Sequence, residues 1–178
     1  MVATKSATVS GQLRPIVKSF TQKPAQCSRI CGNWMPRHAG STTEARTVKA
    51  VHPSVAELLH MLILQKQALT IVEVGTSHGL STIWLAAATR RTGGHVYRVD
   101  ALPTKTSAAA DNLRSAGLAD HVTLTTAAGV DSVEGLPDGI DFVFVDFGLP
   151  VFLPAFKRLQ AKLAVGATLL VDGGPDGH

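Results

Sequence analysis

Apolar and polar positions along this chain follow two rhythms, one helical and one strand-like. From Ser54 to about Gln65 the run SVAELLHMLILQ has a helical period, with Val55, Leu58, Leu59, Leu62 and Ile63 forming one broad apolar face. His60 on that helix is expected to be a partly exposed structural residue. Thr70–Val74 then reads as a strand and Leu80–Arg90 as a helix, with Thr92, Gly93 and Gly94 turning the chain out of it. Trp84 on this helix is expected to pack in the core. His95–Val99 predicts a second strand, and Thr106–Ala116 a helix ended by Gly117. Val122–Thr126 is a third strand. Ile140–Val145 is a fourth, continuous enough in its apolar content to be buried on both faces. Val151–Leu163 predicts a further helix and Ala167–Val171 a fifth strand.

This alternation predicts an α/β fold: a Rossmann-like, doubly wound, mostly parallel sheet with helices on both faces. Right-handed crossovers place a ligand outside the carboxyl ends of the strands, near the topological switch point. Glu73, Asp100 and Asp146 fall at that edge, each closing an apolar strand. Asp141 opens its strand at the opposite edge and is expected to be structural. The last strand, ATLLV, would lie at or near an exposed sheet edge, which is a pairing liability. Of the two explanations, a covering chain or a truncated product, truncation is favoured.

Composition sharpens this picture in one respect. The 178 residues, 45% of them hydrophobic, allow one domain with a sizeable core. The net charge of +4 is unevenly placed. Residues 1–50 hold eight Lys/Arg against one acid, Glu44, hence +7; residues 51–178 hold nine against twelve, hence −3. Residues 1–45 therefore read as a basic, poorly ordered arm, and 46–178 as the folded domain. A mildly acidic body argues against a nucleic-acid partner, since positive charge would be expected on the fold itself. No stretch approaches the ~18 apolar residues that span a membrane, so none is expected as a partner. Cys27 and Cys31 lie in the arm, with His38 nearby. They lack CxxC spacing and a fourth ligand, and read as free thiols rather than zinc ligands. The arm's Ser/Thr and Arg/Lys content resembles an organelle transit peptide, but its helical amphipathicity is poor. A cytoplasmic location is expected, with organelle targeting as the alternative.

The chemistry concentrates in IVEVGTSHGLST, residues 71–82. A dinucleotide fold uses G-x-G-x-x-G to bring amides and a helix N-terminus onto a pyrophosphate. Here the spacing is E-x-G-x-x-x-G, with Glu73 ahead of Gly75 and Gly79. An acid before the first glycine suits a ligand that carries positive charge. S-adenosylmethionine, with an ammonium, a sulfonium and no phosphate, is such a ligand. Ser77, Ser81 and the amides at the helix start can bind its carboxylate. Asp100 can accept hydrogen bonds from both ribose hydroxyls. His78 is more often a polar surface residue than the general base its position would permit. Asp146 and Asp172, ending neighbouring strands, could bind a divalent cation such as Mg²⁺, which takes one or two carboxylates plus waters. An NAD-dependent oxidoreductase is a weaker reading; Asp100 allows it and the glycine spacing opposes it.

In order along the chain, VEVGTSHGLSTIWLA, VYRVDALP, NLRSAGLADHVTL, DFVFVD and GATLLVDGG resemble the class I S-adenosylmethionine-dependent methyltransferases. The closest look is to the O-methyltransferase family that includes catechol and caffeoyl-coenzyme A enzymes. The resemblance covers roughly residues 50–173. It implies a methyltransferase domain that is short at its C-terminal end, without the final pair of strands. By position it implies cofactor contacts from Glu73, Gly75, Thr76, Ser77, Gly79, Ser81, Asp100, Ala101 and Asp146, with Ala128 and Gly129 near the adenine. It also implies metal binding by Asp146 and Asp172. The chain departs from the cation-dependent members in having Leu149 where they carry lysine, and Gly173 where they carry asparagine. The implied reaction is in-line methyl transfer from the sulfonium to a hydroxyl of a small molecule, the protein contributing mainly orientation. A homo-oligomer is compatible with this reading, and so is a non-catalytic member used for binding or assembly.

Overall fold

A computed structural model describes residues 50–75, 77–146 and 149–172. The arm expected over residues 1–45, with Cys27, Cys31, His38 and Glu44, lies outside the described residues, as do Thr76 and Gly173.

The elements run α1 (Pro53–Lys66), β1 (Thr70–Val74), α2 (Leu80–Thr92), β2 (His95–Asp100), α3 (Pro103–Ser115), β3 (Val122–Thr126), β4 (Ile140–Val145), α4 (Leu149–Leu159) and β5 (Leu163–Val171). Short 3-10 turns cover Ala119–His121, Gly129–Val133 and Gln160–Lys162. The five strands form one sheet in the order β3-β2-β1-β4-β5, and every pairing is parallel. The order reverses direction after β3, so the switch point lies between β1 and β4. This is the doubly wound arrangement that the alternating pattern predicts.

Register sorts the side chains by face. Val72, Val74, Val99, Val143 and Val145 share a face with Ala155 and Leu159 of α4, and together they form a buried core. The opposite face carries Ile71, Val96, Phe142 and Phe144, and with them two charged residues, Glu73 and Arg98. A bond from Thr82 of α2 to Glu73 places α2 on that face. Right-handed crossovers require the same division, with α2 and α3 on one side and α4 on the other.

Several boundaries differ from the sequence expectation. α3 begins at Pro103 rather than Thr106, because proline presets the φ of a first helical turn. α4 ends at Leu159, and β5 begins at Leu163 rather than Ala167. Leu163 pairs with Ile140 while Thr168 pairs with Phe142, so an irregularity takes up the extra residues. On α1 the buried positions are Ala56, Leu59, His60 and Ile63, and Leu58 is exposed. His60 is therefore buried rather than partly exposed. Its Nδ1 lies 3.0 Å from the Trp84 carbonyl and its ring meets the Trp84 ring edge-on at 5.7 Å. Trp84 is buried, as its core role predicts.

Among the described residues β5 ends the sheet, the edge position expected for the ATLLV strand. Val165, Leu169 and Val171 on it are exposed. Among the described residues, no helix is long and apolar enough to cross a membrane.

Candidate functional site

The carboxyl ends of the strands gather the predicted residues. The Gly75 amide donates to the Val99 carbonyl at 2.8 Å, the Ala127 amide to Asp100 at 3.0 Å, and the Asp146 amide to Val74 at 3.0 Å. The Asp172 amide donates to Val145 at 2.8 Å. This ladder sets the glycine loop, Asp100, Asp146 and Asp172 along one edge of the sheet. Asp141 lies at the other edge, where its carboxylate accepts from the amides of Leu69 and Thr70 at 2.8 and 3.2 Å. It closes the entry to β1, the structural role expected of it.

The loop between β1 and α2 is built from left-handed residues. Gly75 has φ 73°, Ser77 48° and Gly79 90°. At Gly79 a Cβ would also stand 3.0 Å from the Cβ of Ala109 on α3. Glycine is needed there for both the conformation and the close approach of α3. The N-cap of α2 is Gly79, which has no side chain to cap it, so the helix start presents backbone amides there. Asn112 of α3 donates to the His78 carbonyl at 2.9 Å and holds the loop from the side. Ser77 Oγ and His78 Nδ1 are 3.0 Å apart. Burial first, then the charges of Lys105 and Arg98, hold His78 below the ordinary histidine value against an opposing pull from Asp100. His78 is therefore neutral near pH 7.

Under the loop lies a buried ionic cluster. Glu73 is fully buried and accepts a 2.5 Å hydrogen bond from Thr82 Oγ1. Arg98 pairs with Glu73 in register on β2 and is fully buried too. Its Nη2 donates to the Ser77 carbonyl at 3.0 Å and to Asp100 Oδ2 at 3.1 Å. The other Asp100 oxygen accepts from the Leu102 amide at 3.0 Å. Burial pulls the Arg98 pKa down, while the charges of Glu73 and Asp100 push it back up.

The structure thus brings Gly75, Ser77, Gly79 and Asp100 together with the turn after β3, where Ala128 is exposed and Gly129 opens a 3-10 turn. Ala101 is exposed beside Asp100. The side chains of Glu73 and Ser81 are buried, so both support the loop and helix from inside the protein. Asp146 and Asp172 end neighbouring strands and are half-buried. Among the described residues no three His, Cys, Asp or Glu gather to hold a metal ion. Sequence reasoning missed Arg98, Thr82 and Asn112. Arg98 carried a readable signal: an arginine inside the apolar strand HVYRVD, where an unpaired charge would be costly.

Residues 72–173 match the model of the methyltransferase domain family. The chain belongs to that family. A catechol O-methyltransferase of Niastella koreensis is 29% identical over 126 residues, covering 68% of this chain and 56% of the relative. A catechol O-methyltransferase of Mycobacterium tuberculosis is 36% identical over 100 residues, covering 54% and 44%. The O-methyltransferase TomG of Streptomyces achromogenes, involved in tomaymycin synthesis and solved in complex with SAM, is 31% identical. It superposes with a TM-score of 0.61 over 70% of this chain and 57% of TomG. The chain spans about half the length of the curated relatives it matches. The segment matched to the methyltransferase domain holds the whole cluster from Glu73 to Asp172.

Proposed function

We propose that this methyltransferase domain binds S-adenosylmethionine and transfers its methyl group to a hydroxyl of a small molecule. The observation that carries the reading is the juxtaposition of the Gly75–Gly79 loop with Asp100 across the ends of two paired strands. S-adenosylmethionine supplies an electrophilic methyl group on its sulfonium. The uncapped start of α2 offers amides to the ligand's carboxylate. Asp100 takes the ribose hydroxyls, with Ala101 beside it, and Ala128 and Gly129 border the adenine. Thr76 belongs to the same set of proposed cofactor contacts. The relatives named as O-methyltransferases, and TomG solved with SAM, support the same cofactor and acceptor class. We assign this activity to residues 46–178.

A divalent cation such as Mg²⁺ is a further element of the reading. Asp146 and Asp172 supply the two carboxylates that such an ion accepts. They would hold it beside the acceptor hydroxyl, where a cation favours the deprotonated form.

The test is transfer of labelled methyl from S-adenosylmethionine to catechol, with and without Mg²⁺, by wild type and by Asp100→Asn. Labelled product that falls in the variant supports the assignment. Cofactor binding without product from any phenol would favour the non-catalytic alternative that Leu149 and Gly173 suggest.

A further inference from the structure

Arg98 is a fully buried charged residue inside an otherwise largely apolar strand. It sits at the centre of β2 between Val96 and Val99, both buried. A fully buried guanidinium is costly unless its partners are charged and well aligned. Two of its partners belong to the cofactor site: the Ser77 carbonyl in the loop and Asp100 Oδ2 at the ribose position, both reached by Nη2.

We propose that Arg98 is a positioning residue that couples the two halves of the cofactor site. The proposal rests on the S-adenosylmethionine reading above. One guanidinium nitrogen fixes the loop that receives the amino-acid end of the ligand and the carboxylate that receives the ribose. At the loop it stabilises Ser77, a non-glycine residue held at φ 48°, a conformation that costs energy by itself. At the ribose side it orients one oxygen of Asp100, while Leu102 holds the other. Glu73 and Asp100 share the Arg98 face of the sheet, two like charges that the arginine keeps from opposing one another. A lysine would supply the charge but not the planar fork.

The experiment is calorimetric titration with S-adenosylhomocysteine and with methylthioadenosine, which keeps the ribose and adenine but lacks the amino-acid end. Wild type, Arg98→Met, Arg98→Lys, Asp100→Asn and the Arg98→Met/Asp100→Asn double variant are compared. Each is first checked for a cooperative thermal transition. Loss of a charge-assisted bond predicts that Arg98→Met weakens S-adenosylhomocysteine by about tenfold or more. Coupling predicts a smaller loss for methylthioadenosine, because only one of its ends is disturbed. It also predicts that Arg98→Met costs less in the Asp100→Asn background, since part of its action passes through Asp100. Arg98→Lys recovers part of the affinity, and carries the same comparison if Arg98→Met does not fold. Equal losses for the two ligands, or losses that multiply independently in the double variant, would overturn the coupling. If wild type binds neither ligand, the cofactor reading fails first.

Discussion

At Gly79 the backbone runs at φ 90° with Ala109 of α3 packed where a side chain would begin. Gly79→Ala is therefore expected to lower stability by about 1–3 kcal/mol, read by urea unfolding, and to weaken S-adenosylhomocysteine as the loop shifts. Asp141→Ala is a contrasting case. It removes the acceptor of two amides at the far edge of the sheet and should cost about 1 kcal/mol, with cofactor affinity unchanged. Affinity lost in Asp141→Ala would mean that the two edges are not independent. The positions of Asp141, Gly79 and Asp100 were legible because strand ends and turns leave local marks. The partners of Arg98 and Asn112 were not, because each reaches a loop that only the fold brings near it. Arg98 reaches back 21 positions to Ser77, and Asn112 reaches back 34 to His78.

Elements whose pattern is strongly periodic could be read from the chain; those shaped by neighbours could not. β1 and β4 match their predicted bounds because short β-branched and apolar runs, closed by Gly75 and by Asp146, define them. The face that α1 buries was misjudged by including Leu58 and leaving out His60, since the helix turns toward Trp84 of α2 rather than toward its most apolar stripe. The start of β5 was hidden by the irregularity opposite β4, which no local pattern announces. The buried His60 makes the α1–α2 contact sensitive to acid. Burial is the largest cause holding His60, His78 and His95 below the ordinary histidine value. The unfolded chain therefore binds protons that the folded chain does not, and stability rises with pH through that window. The stabilising difference is complete above the unfolded value of about 6.5 and is lost as pH falls through the folded values. Urea midpoints should drop between about pH 8 and about pH 5, and His60→Gln should flatten the drop. An unchanged slope in His60→Gln would remove His60 from the account.

On the scale of the whole molecule, the doubly wound sheet sets the glycine loop, Asp100, Asp146 and Asp172 along one edge. Its switch point opens beside β1, and the three acids that close β1, β2 and β4 converge there from positions far apart in sequence. That much followed from alternation and right-handed crossovers. The inside of the site did not, because Glu73 and Arg98 meet only once β1 and β2 pair. A ligand bound by the folded state alone should raise stability by about 2.7 kcal/mol at about a hundred times its Kd. S-adenosylhomocysteine should therefore raise the thermal midpoint in proportion to the logarithm of its concentration, and Asp100→Asn should blunt that rise. The most direct measurement is calorimetric titration of the full chain with S-adenosylhomocysteine and, separately, with NADH. The account predicts saturable binding of S-adenosylhomocysteine and none of NADH. Tight NADH binding without affinity for S-adenosylhomocysteine, or binding of neither by a folded chain, would contradict it.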